Sequence, residues 1–177
     1  MKRTCQRTCI SLAALFAAGC ASASGARVTP AASAVRMKEM WEPLVALAGE
    51  WEMTGQDGKK MTACVIEVTS GGSIVRERLF PGTPNEMTNV YCMDGSDVVL
   101  THYCHAGNQP HMRATSGAGG KFDFAFESVT LPAADAFYMG SMTLVISDKD
   151  HMEQAWNSVQ GEKKTEPMVV LKAERKK

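Results

Sequence analysis

Lys121-Phe122-Asp123-Phe124-Ala125-Phe126-Glu127-Ser128 is the stretch that decides the fold class. Successive side chains of a strand point to opposite sides. Phe122, Phe124 and Phe126 therefore share one face, and Asp123 and Glu127 share the other. The three rings read as core or as the wall of a cavity. Working outward, the same two-residue period recurs from Gly49 to Ala173, broken by turn signals every ten residues or so. Ser70-Gly71-Gly72 joins strands over 61–69 and 73–80. Pro81-Gly82-Thr83-Pro84 is a loop. Asp94-Gly95-Ser96-Asp97 joins 87–93 to 98–104, and an Asn-Gln-Pro turn leads to 110–115. The cleanest strand follows, then a loop or brief helix over 131–135, and strands over 137–146, 151–159 and 168–173. No connection is long enough for a parallel crossover. A meander of this length closes on itself because closure removes its edges. The predicted fold is all-β, a single up-and-down antiparallel barrel of about 8–10 strands. A short N-terminal helix precedes it, with Met37, Met40 and Trp41 at helical spacing and Pro43 stopping or restarting it.

The first residues read as a leader. Lys2, Arg3 and Arg7 precede an apolar run from Ile10 to Ala18, too short to span a bilayer, which takes about 20 residues. Two cleavages compete. One lies before Cys20, whose thiol would take diacylglycerol; Ala18 and Gly19 fit a lipobox, while Ala17 stands where Leu is usual. The other lies after Ala23. The lipoprotein reading is preferred. It makes 1–20 the signal, 21–36 (rich in Ala, Ser, Gly and Pro) a flexible tether and 37–177 the barrel domain. The expected address is the cell envelope, with a lipid anchor in the membrane; a soluble secreted protein is the alternative. The chain carries 19 basic and 19 acidic residues. Loss of the three leader cations makes the remainder mildly acidic, which excludes nucleic acid as an expected partner.

Cys64, Cys92 and Cys104 remain in the domain, an odd number. The Asp-Gly turn sets Cys92 opposite about 97–99 and Cys104 opposite about 85–87. At about 3.4 Å per residue the two are too far apart for a disulfide, which needs Cα atoms within about 7 Å. All three are expected to be buried thiols.

Ala46-Leu47-Ala48-Gly49-Glu50-Trp51 places Gly-x-Trp after a short helix and at the entry to the first strand. This resembles the signature of the lipocalin and calycin barrels. The resemblance implies that the Trp packs across the barrel floor and that the Gly lets the preceding helix approach. The segments 72–77, 80–87, 101–104 and 107–110 are similar to those of secreted lipocalin-like proteins of bacteria without an assigned activity, over about residues 40–173. The resemblance implies a barrel and a ligand cavity. Nitrobindin-type haem barrels share the architecture, but this chain offers only His151 near its last strands, without a matching motif.

Thr101-His102-Tyr103-Cys104-His105-Ala106-Gly107-Asn108-Gln109-Pro110-His111 concentrates the candidate chemistry. Alternation puts His102 and Cys104 together with Val98 and Leu100, sends His105 to the other face and leaves His111 beyond a turn. A zinc site needs three or four converging ligands, which this spacing does not deliver from one face. No metal or other cofactor is predicted, haem and zinc remaining minor alternatives. A Cys104–His hydrolase would lack an evident oxyanion group or orienting acid, so an enzyme is not the preferred reading. Glu77 shares a face with Val75 and Leu79, Arg76 and Arg78 share the other, and one of these faces must be inward. Asn108 and Gln109 either hold their own loop or act as rim donors. The candidate ligand-binding residues are thus Glu77, His102, Cys104, Asn108, Gln109 and His111. The leading functional expectation is a small, largely apolar molecule bound inside the barrel. The alternatives are a structural or interaction lipoprotein with a filled interior and, more weakly, a haem or metal carrier or hydrolase. A cavity inside the barrel separates the first from the second.

Overall fold

The computed structural model describes residues 28–177 except 56, 131, 132, 134, 162 and 165–168. The leader, Cys20 and most of the tether read above lie outside the described residues. Helical residues 34–45 precede β1 (Gly49–Thr54), β2 (Lys60–Thr69), β3 (Ile74–Leu79), β4 (Met87–Asp94), β5 (Asp97–Tyr103) and β6 (Gln109–Ala114). β7 (Lys121–Thr130), β8 (Tyr138–Asp148), β9 (His151–Gln160), β10 (Lys163–Lys164) and β11 (Val169–Arg175) complete the chain. Each strand from β1 to β9 pairs antiparallel with the next. β8 fills one edge of β9, so β10 and β11 share the other, through Lys164↔Val159 and Val169↔Trp156. β11 then pairs β1 through Trp51↔Arg175 and Glu52↔Glu174. The result is a closed up-and-down barrel of ten strand positions, consistent with a lipocalin-like barrel.

The two-pair closure is short, and side chains reinforce it. Arg175 donates from Nη1 to Ala48 O (2.8 Å), from Nη2 to Ala46 O (2.9 Å) and from Nε to Lys149 O (2.8 Å). Its guanidinium lies 4.4 Å from the Trp51 ring centroid, a favourable stacked cation–π geometry. Trp51 is fully buried and donates Nε1 to Leu47 O at 2.8 Å. Gly49 sits at φ 140°, and a Cβ there would stand 2.8 Å from Arg175 Nη1. The Gly of Gly-x-Trp thus admits the Arg175 guanidinium rather than the preceding helix.

That helix closes one barrel end. Met37–Trp41 is wound as a π-helix, with Glu42 N–H bonding Met37 O. Pro43 brings no N–H, and a fresh α-turn, Glu42–Val45, begins there. Helical structure starts at Ala34, just before the boundary read at 37. Met40, Trp41, Leu44 and Leu47 are buried against the barrel. Trp41 Nε1 donates to Gly72 O, and Arg36 donates to Ser96 O and Thr115 O. These bonds fix the helix over the β2–β3 and β4–β5 turns. Beneath it lies an apolar half built from Val75, Val98, Leu100, Ala114, Phe122 and Leu144.

Alternation holds along most strands, with register shifts at β1–β2, at β6–β7 and twice at β8–β9, around Gly140 and Ser147. Trp51 pairs Cys64 while Glu52 pairs Thr62, so Ala63 is an extra residue, and Ala63 and Cys64 are both buried. On β7, His111 pairs Ser128 while Met112 pairs Phe126. Phe122 and Phe124 are buried, whereas Phe126, expected to share their role, is 41% exposed past the end of the core, its ring 5.2 Å from Tyr138. Cys92 pairs Val99, as the turn required, and all three thiols are free. Cys64 and Cys104 are buried, but Cys92 is only half-buried, because it belongs to the outward register of β4.

Candidate functional site

The half of the barrel away from the helix is polar. Three strands bring the cluster together by their inward registers: β3 supplies Glu77, β4 supplies Asn89 and Tyr91, and β5 supplies His102. β9 supplies Gln154 and Trp156 from across the interior. All six are buried. Glu77 is the hub. Its Oε2 accepts from Asn89 Nδ2 at 2.8 Å and from Tyr91 Oη at 2.7 Å; its Oε1 accepts from Gln154 Nε2 at 2.6 Å. Trp156 Nε1 donates to Gln154 Oε1 at 3.1 Å, completing that arm. No ion pair of Glu77 occurs among the described residues, so neutral donors hold a carboxylate that is shut off from water.

Asn89 links the carboxylate to His102. Because its Nδ2 faces Glu77, its Oδ1 faces His102 Nδ1, at 2.7 Å. An amide oxygen only accepts, so Nδ1 carries the proton and Nε2 presents its lone pair. That Nε2 is buried and without a hydrogen-bond partner. The imidazole lies 4.8 Å from the Trp156 ring. Burial, with a smaller contribution from the nearby charge of His105, pushes its pKa down from 6.5 to about 4. His102 is therefore neutral at pH 7. Burial and then the Glu77 carboxylate push the Tyr91 hydroxyl and the Cys64 thiol well above their ordinary ranges. Neither is a ready nucleophile at neutral pH.

The other residues singled out from the sequence scatter around this cluster. Cys104 is buried at the rim, its Sγ 4.0 Å from Met87 Sδ, and is not bonded to His102. Asn108 is wholly buried in the β5–β6 turn. It donates Nδ2 to Phe137 O at 2.6 Å, and its Oδ1 has no partner. Gln109 bonds Gly107 O at 3.2 Å and so holds its own loop. His111 is exposed on the outer face, with Nδ1 3.1 Å from Thr101 Oγ1, and does not meet the cluster. Glu77 and His102 do meet, though through an intermediary, Asn89, that the sequence reading passed over. Asn89, Tyr91, Gln154 and Trp156 were all missed. The available signal was a polar residue in an apolar register: Asn89 between Met87 and Tyr91, and Gln154 between Met152 and Trp156.

The interior is closely packed around Glu77. The void beside Glu77, also lined by Cys64, Met152, Gln154 and Ala173, measures about 10 Å³, room for roughly one water. A preformed chamber of the kind expected from the sequence is not seen there. A groove of about 600 Å³ runs outside, where β1 leaves β11. Its charges are internally matched, with Lys60 3.5 Å from Glu52 and 3.6 Å from Glu174, and Lys172 3.4 Å from Glu153. Met152 and Ala173 line both the groove and the inner void. Among the described residues no three His, Cys, Asp or Glu side chains are placed to hold a metal ion, and no helix is long and apolar enough to cross a membrane. Scanned against known protein families and curated proteins, the chain matches none.

Proposed function

We propose that this barrel is a small-molecule-binding protein whose site is the polar half of its interior. One observation carries the reading: a histidine 1% exposed, oriented through Asn89 by a buried glutamate, presents an unpartnered Nε2 inside the barrel. A fold held only by packing gains nothing from such an atom, because a buried acceptor left unpaired costs about 1–3 kcal/mol. The occupant has an apolar body, to lie against Trp156 and the methionines, and a polar group for His102. Since the void is about 10 Å³, entry requires side chains to move. Met87 and Met139 stand at that end of the barrel on β4 and β8, and unbranched methionine repacks readily. Cys20 is proposed as the lipid attachment point that holds the protein at the envelope.

The small void favours a second reading, a filled barrel acting as a structural or interaction protein. Native mass spectrometry of protein purified from its source tests the first. A retained small molecule, lost in His102→Phe, supports binding. A bare polypeptide mass, with no uptake of added aromatic probes, leaves the filled barrel. Mass analysis of the mature N-terminus tests the anchor; an unmodified start at Ser24 overturns it.

A further inference from the structure

We infer that the ligand of this site is a hydrogen-bond donor, which the barrel receives on two buried acceptors, His102 Nε2 and Asn108 Oδ1. The inference rests on the binding reading above and gives its ligand a chemical class. The argument is one of elimination by donor and acceptor roles. Glu77 takes Asn89 Nδ2, which turns Asn89 Oδ1 toward His102 and fixes the proton on Nδ1. The remaining ring nitrogen can only accept. Asn108 spends its NH2 group on Phe137 O, and its free atom is again an oxygen.

Both groups occupy the same end of the barrel. His102 is the last fully inward residue of β5, and Asn108 lies in the turn that follows it, closed by Cys104 N–H on Asn108 O at 3.0 Å. Both are at most 1% exposed. A ligand that only accepts hydrogen bonds, such as an ether, an ester or a carboxylate, would meet two lone pairs there and be repelled. An amine, amide, alcohol or N–H heterocycle would satisfy them. The Trp156 ring, 4.8 Å from the imidazole, favours a compact ring or short chain bearing that donor.

Two isomeric probes isolate the donor from size. 3-Methylindole and 1-methylindole have the same atoms, but only the first has an N–H. Calorimetric titration of the whole protein should show 3-methylindole binding about 10- to 100-fold more tightly, the fold-change expected for one hydrogen bond to an otherwise unpaired buried acceptor. In 15N-labelled protein, the His102 Nε2 resonance should report a lone pair in the free state and shift with 3-methylindole alone. His102→Phe should abolish the discrimination, and if that variant does not fold the wild-type spectra decide the matter. Equal affinity for the two isomers, or a proton on Nε2 in the free protein, overturns the donor assignment while leaving a binding barrel. Failure of both isomers to bind overturns the assignment and, together with a bare native mass, the binding reading itself.

Discussion

Neutral, buried His102 makes the stability of this barrel depend on pH in a window where carboxylates contribute little. The folded-state pKa is about 4 against 6.5 for the free side chain. Above pH 6.5 the imidazole is neutral in both states and the folded protein has its full stability. As pH falls below 6.5 the unfolded chain takes up a proton that the folded chain refuses, and stability is lost until the folded pKa is reached. At 1.36 kcal/mol per pKa unit, the whole effect is about 3 kcal/mol, of which about 2 kcal/mol falls between pH 7 and pH 5. Carboxylates held below their ordinary values, among them Glu50, Glu67, Asp123, Asp148 and Asp150, contribute in the same direction but mainly nearer pH 4 and below. The groups packed on the imidazole are Asn89 Oδ1 and the Trp156 ring, with the His105 charge acting on it as well. Urea unfolding of the wild type and of His102→Phe at half-unit steps from pH 7.5 to 5 reads the effect. The substitution also leaves Asn89 Oδ1 unpaired, but that produces a constant offset of about 1–3 kcal/mol and no slope. The expected result is a wild-type decline that flattens by about 2 kcal/mol in the variant. Parallel profiles would refute the neutral, desolvated histidine and with it the tautomer argument.

Glu77→Leu, which strands the donors of Asn89, Tyr91 and Gln154 in the core, should destabilise by about 3–5 kcal/mol in chemical denaturation. Glu77→Gln keeps the shape and an acceptor and should cost less; equal losses would show that the hub role is wrong. Arg175→Ala removes the guanidinium from Trp51 and from the carbonyls of Ala46, Ala48 and Lys149. It should cost about 2–3 kcal/mol and raise amide exchange first in β1 and β11; uniform protection across the seam would count against the closure described. Of the thiols, half-buried Cys92 should be alkylated before Cys64 and Cys104 in native protein, as read by peptide mass mapping. Labelling of Cys64 ahead of Cys92 would contradict the inward register of β2.

The fold was legible because its information is local. Period-two alternation and Gly or Asp-Gly turns fixed the strands, the antiparallel order and the absence of a Cys92–Cys104 bridge, and each of these depends on residues a few positions apart. The β-bulges were not legible: nothing around Ala63 or Glu127 announces an extra residue, and the shift at β7 is where the expected Phe126 core position failed. The site was half legible. Alternation placed His102 with Cys104 and restricted Glu77 to a choice between two faces. The closed ring settled that choice inward, because Val75 and Leu79 needed burial more than Arg76 and Arg78 could tolerate it. Gln154 could not be found from the sequence. It reaches Glu77 from 77 residues away, a meeting set by the closure of the ring and not by any spacing.

The division of the interior into an apolar half under the helix and a polar half beyond it bears on the proposed binding role. The apolar half already closes the barrel: Arg175 stacks on Trp51, the helix residues Met40 and Leu44 are buried in the same core, and among the described residues none of the four is hydrogen-bonded to the polar network. Stability alone would then extend aliphatic side chains to the far end, since well-packed apolar residues in place of a buried polar set are often neutral or stabilising. Instead β3, β4, β5 and β9 each place a polar side chain in the inward register at the same level, and one ends in an unpaired lone pair. Four strands bring costly polar residues to one level, and the proposed binding role accounts for that cost as the holding of a partner molecule at His102.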